Sequence, residues 1–127
     1  MSDLRPHGVK CEIGGQERTL LFTINVIDKI QSRCNLALYD AMEYMANAAG
    51  GTMDHETISN YKKIVFSLIE NQVDDGTSED AVGDMIDLGT YQKVARSVLD
   101  SFGISLPDPD ENETEEDGDD PNVETGQ

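Results

Sequence analysis

The stretch "GVKCEIGGQERTLLF", residues 8–22, sets the first constraint on the fold. Val9, Cys11 and Ile13 alternate with Lys10 and Glu12, the period-two pattern of a strand with one buried face. Gly14-Gly15 supplies two residues free to take positive φ, as a two-residue turn between antiparallel strands demands. A second strand is expected over 19–22. A lone hairpin is marginal in water, so its apolar face must lie against something else.

The following residues carry helical periodicity. Thr23 is placed to cap "INVIDKIQSRC", with Val26, Ile27 and Ile30 on one face. A second helix over 37–47 brings Leu38, Ala41, Met42 and Met45 to one side, and Gly50-Gly51 ends it. "DHETISNYKKIVFSLIENQV" starts from an Asp54 cap and repeats apolar residues at Ile58, Tyr61, Ile64/Val65 and Leu68/Ile69. After the polar loop "DDGTSED" comes a short helix over 79–86. Thr90 is placed to cap "YQKVARSVLDSFG" and Gly103 to stop it in the left-handed conformation, with Ile104 and Leu106 docking just beyond. The expected fold is α+β and mainly α, an N-terminal β-hairpin packed on a small bundle of about five helices.

Charge divides the chain in two. The formal net charge is −17, and the ten acidic residues after Pro107 supply −10 of it without one Lys or Arg. Residues 1–106 therefore form the globular domain, and 107–127 read as a disordered acidic tail. A chain this acidic is repelled by DNA and by anionic membranes, so neither nucleic acid nor membrane is expected as a partner. The opening "MSDLRPHG" has no apolar core of a leader, and no run of 18 apolar residues occurs. A cytoplasmic protein with free thiols at Cys11 and Cys34 is the expectation.

Three stretches imitate catalytic or ligand sites. "DHE" at 54–56 places a His between two carboxylates, but no second His follows at helical spacing, and capping by Asp54 accounts for it. The Gly-Gly pairs lack the Lys-Ser/Thr of a phosphate loop. "ETEEDGDDPNVE", from Glu113, matches a calcium-loop register at positions 1, 3, 5, 6, 7 and 12, yet starts with Glu, carries Asp120 where an aliphatic belongs and has Pro121 at position 9. No cofactor or metal is expected, and no nucleophile–base pair argues for catalysis.

The string "RPHGVKCEIGGQERTLLFTINVIDKIQSRCNLAL", with "FGISLPDPDE" and "DPNVETGQ" at the other end, resembles the tail assembly chaperones of long-tailed phages and prophages. That group shows an "RP-x-G-V" start, a "GG-x-ER-x-LLFT" hairpin, an "N-x-I-D-x-IQ" helix, a "YGISLP-x-PDE" stretch where this chain has Phe102 for the tyrosine, and an acidic "DPN-x-x-x-GQ" finish. The resemblance covers roughly residues 5–38 and 88–127; between them only helical character matches. It implies a non-enzymatic factor in the cytoplasm of the bacterial host, absent from the mature virion. Such a factor coats and solubilises the tape-measure protein and helps recruit tail-tube subunits. This chain would be the short form, made without a ribosomal frameshift. Met42, Tyr44 and Met45 on the second helix and Tyr61 on the third are the candidate partner contacts, since methionine adapts to varied surfaces; Met and Tyr at this spacing equally suit a core. The hairpin edge, Val9–Ile13 or 18–22, offers pairing with another subunit, against the plainer role of capping its own helices. The tail suits a solubilising brush. Two other readings fit a small acidic phage protein: a DNA mimic that inhibits a basic enzyme, and a structural tail terminator or completion protein.

Overall fold

In a computed structural model, residues 8–106 are described. The acidic segment, with its expected disorder and the calcium-loop register at 113–124, lies outside them. The order is β1 (Val9–Ile13), β2 (Gln16–Leu20), α1 (Ile24–Cys34), α2 (Leu38–Ala49), α3 (His55–Ile69) continued by a 3-10 turn at Glu70–Gln72, α4 (Glu79–Asp84) and α5 (Leu88–Ser105). The hairpin and the five helices are as the sequence pattern requires.

β1 and β2 pair antiparallel from Ile13↔Gln16 to Val9↔Leu20. Gly14 and Gly15 hold φ at 67° and 79°, the two positive values of a turn whose twist matches the strands. The second strand starts at Gln16, three residues before the expected span, because this two-residue turn puts Gln16 directly opposite Ile13. At the open end, a Cβ on Gly8 would stand 2.7 Å from Thr19 Cγ2 and 2.8 Å from the Leu20 carbonyl, so only glycine lets the chain enter β1 so close to β2.

Cys11, Ile13, Arg18 and Leu20 point from the hairpin into the interior. Arg18 is buried, and among the described residues no carboxylate pairs with it. Its Nε donates to the Ile13 carbonyl at 3.1 Å and its Nη1 to the Gln72 carbonyl at 2.5 Å, so the guanidinium ties the turn to the C-terminal end of the α3 extension. Carbonyls there carry the negative end of the helix dipole, which favours a cation. The Gln72 side chain returns the contact. Its Oε1 accepts from the Thr19 N–H at 2.8 Å and its Nε2 donates to the Thr19 carbonyl at 2.7 Å. One amide thus covers the outer edge of β2 as another strand would. Gln72→Ala is expected to cost about 1 kcal/mol and to speed amide exchange at Thr19 selectively, as hydrogen-exchange NMR would read.

Helix ends follow local chemistry. Thr23 Oγ1 accepts from Val26 N–H at 3.1 Å and Asp54 Oδ1 from Thr57 N–H at 2.8 Å; both caps are where the sequence places them. Asn35 ends α1 at φ 56°, a conformation asparagine tolerates. α5 departs from expectation at both ends. Its N-cap is Asp87, and Thr90 is the third residue of a reciprocal capping box with it, so the helix starts two residues before Thr90. Gly103 lies inside the helix. The stop is Leu106, extended at φ −79° and ψ 152°, as a residue preceding a proline prefers. Ile104 and Leu106 are exposed rather than docked.

The core lies where α2, α3 and α5 meet beneath the hairpin. Ile30, Met45, Ile64, Val65, Ile69, Val94 and Val98 are buried there with Leu20. Ala41 and Ala48 on α2 and Ala95 on α5 are also fully buried, small side chains that let helices approach closely.

Candidate functional site

An apolar groove of about 240 Å³ opens between the first half of α3, α4 and the start of α5. Its floor is a tyrosine pair. The Tyr61 and Tyr91 rings stack with centroids 4.6 Å apart and planes inclined by 21°. The Tyr61 hydroxyl donates to the Tyr91 carbonyl at 2.8 Å, and the Tyr91 hydroxyl to the Thr52 carbonyl at 2.6 Å. Both phenols spend their donors on backbone, leaving ring surface toward the groove. Burial pushes both above the ordinary phenol range, Tyr61 the further, with Tyr91 adding to it. The floor is therefore neutral at physiological pH.

Ile58 and Ile86, both partly buried, form the walls. The rim is open to solvent: Met53 is 41% exposed and Leu88 78%. Lys62 borders one side, its ammonium 3.0 Å from Asp80. A Cβ at Gly83 would meet the Lys62 stem at 2.8 Å, so the glycine lets that stem lie along α4. The volume suits one or two large side chains rather than a nucleotide or other large cofactor. A wall of this kind accepts the apolar ridge of a helix.

A second exposed apolar surface lies at the far end of α5. Phe102 meets Phe22 and Tyr39 edge-on, with centroids 5.4 and 5.6 Å apart. Tyr39, Ile104 and Leu106 are exposed.

The four sequence-derived contact candidates do not form one surface. Met42 and Met45 turn into the core with Ala41 and Ala48, so the methionine stripe of α2 faces inward. Tyr61, 2% exposed, is the one candidate that borders the groove. Tyr44 is half-buried on the other side of α2 and donates its hydroxyl to the Glu56 carboxylate, tying α2 to α3; that bond raises its phenol above the usual range. Sequence reasoning misses Met53, Ile86 and Leu88 as surface features. Met53 and Ile86 sit in short links and Leu88 opens α5, with no helical stripe to mark them; the available signal is three apolar residues in the stretch "MIDLGT" (85–90).

The "DHE" stretch works as a helix start. The bond from Thr57 N–H holds the Asp54 carboxyl below its usual range. Cys11 is buried and Cys34 half-buried, both free thiols; burial pushes the Cys34 thiol up, away from thiolate character. Among the described residues no group of three or more His, Cys, Asp or Glu is placed to hold a metal ion, and no helix is long and apolar enough to cross a membrane. Compared with protein-family models, with curated proteins and with solved structures, the chain matches none.

Proposed function

We propose that this chain is a phage tail assembly chaperone. It binds and solubilises the tape-measure protein by taking apolar side chains of that long helical client into the groove between α3, α4 and α5. Its task is binding, not catalysis, and the tail-tube subunit is the second partner. The reading draws on the ordered strings that resemble the chaperone family at both ends of the chain. The observation that carries it is the groove itself: a neutral tyrosine floor, aliphatic walls and a rim on which Leu88 and Met53 are left in water. Exposed apolar side chains around a concave apolar floor are a feature of binding surfaces.

Co-expression tests it. The long tape-measure protein encoded beside such a chaperone is produced with and without this chain, and its soluble fraction is measured. A marked shift from pellet to supernatant, with the two proteins co-purifying, is expected. An unchanged insoluble fraction overturns the reading.

A further inference from the structure

The two edges of the hairpin are treated differently. Gln72 occupies the outward N–H and carbonyl of Thr19 on β2. In an antiparallel ladder, a residue bonded outward faces a partner that is also turned outward. Lys10 is opposite Thr19, and Glu12, two residues on, is opposite Glu17. The backbone groups of Lys10 and Glu12 therefore point away from β2. Among the described residues no N–H or O–H reaches them, and the one contact is the Cys11 thiol 3.9 Å from the Glu12 carbonyl.

The side chains on this edge are also unbalanced. Glu12 and Glu17 stand directly opposite each other on the exposed face, a like-charged pair that disfavours the ladder. Neither has an ion pair among the described residues, and neither does Lys10.

We infer that β1 pairs antiparallel with β1 of a second copy of this chain, about a two-fold axis at Cys11. Residues with outward backbone groups then face each other, so Lys10 of one copy lies opposite Glu12 of the other, twice by symmetry. About four backbone hydrogen bonds form, and the sheet grows to four strands with Gln72 closing each outer edge. Each Glu12 gains a lysine on the side away from Glu17, which balances the like-charged pair. An edge left free on β1 and covered on β2 is the pattern of a strand kept for a partner. The strand 9–13, Val-Lys-Cys-Glu-Ile, is self-complementary in this register: opposite charges meet on the exposed face, and cysteine meets cysteine at the centre. Self-pairing of β1 does not depend on what the groove binds.

Sedimentation equilibrium of the full chain at about 0.15 M salt tests this, where charge repulsion between copies is screened beyond about 8 Å. The wild type is expected to shift from monomer to dimer between about 10 μM and 1 mM. Lys10→Glu and Glu12→Lys each place like charges opposite one another and are expected to weaken the dimer about tenfold or more. The double variant Lys10→Glu/Glu12→Lys restores opposite charges and is expected to recover it. Lys10→Pro removes an outward donor without touching a β1–β2 bond, so it should give a folded monomer, verified by an unchanged circular-dichroism melt. A wild type that stays monomeric throughout overturns the inference. So does a dimer that ignores the single charge changes, or one that the double variant fails to restore.

Discussion

Met45→Ala is expected to lower the unfolding free energy by about 3 kcal/mol, within the range for emptying a buried methionine site. For a domain of this size that is a fall in Tm on the order of 15 °C. Met45 is fully buried in the middle of α2, where that helix packs against α3 and α5. Alanine there removes three heavy atoms from an interior whose neighbours include Ala41 and Ala48, side chains too short to close the gap. A domain with a total stability of about 5–15 kcal/mol loses a large share in one step. Thermal melts of wild type and variant decide it. A methionine that served a partner on the surface would leave Tm within about 3 °C, since surface changes mostly stay within about 0.5 kcal/mol.

The same residue shows how far the sequence could be read. Periodicity places Leu38, Ala41, Met42 and Met45 on one stripe, and in the structure the last three are buried and Leu38 partly so. Periodicity does not say what covers a stripe, and here α3 and α5 do. The hairpin was legible because alternation, Gly14-Gly15 and the Thr23 cap are local chemistry. Its clasp was not: Arg18 and Gln72 are 54 residues apart, and nothing in "GGQERTLLF" marks the arginine as an inward residue bonded to a distant helix end. The start of α5 was misplaced because Asp87 and Thr90 both have capping chemistry and share the task. The groove was least legible of all. Tyr61 and Ile58 belong to a readable helix face, but Met53 and Ile86 come from links and Leu88 from the very start of α5, and only the tertiary fold brings them together.

The second large effect concerns that groove. Leu88→Glu is expected to leave the fold intact while weakening client binding by about 2 kcal/mol, roughly thirtyfold, because it removes an apolar rim contact and puts there a carboxylate that must be desolvated. Leu88 is 78% exposed, so little packing is lost. It is also the first residue of α5, where a carboxylate interacts favourably with the helix dipole. Stability should therefore hold or rise by a few tenths of a kcal/mol. What changes is the groove, which gains a charge at its rim that an apolar client side chain would have to desolvate. Ile24→Glu is the matched control. Ile24 is likewise the first residue of its helix, is 80% exposed, and lies outside the groove. Both variants add one negative charge to an already acidic chain, so a general electrostatic effect would act on the two alike.

The measurement is the soluble yield of the tape-measure protein co-expressed with wild type, Leu88→Glu or Ile24→Glu, each with its melting temperature. The account predicts that wild type and Ile24→Glu keep the client soluble, and that Leu88→Glu melts like wild type yet leaves the client in the pellet. A Leu88→Glu protein that holds the client in solution as well as wild type does would contradict it.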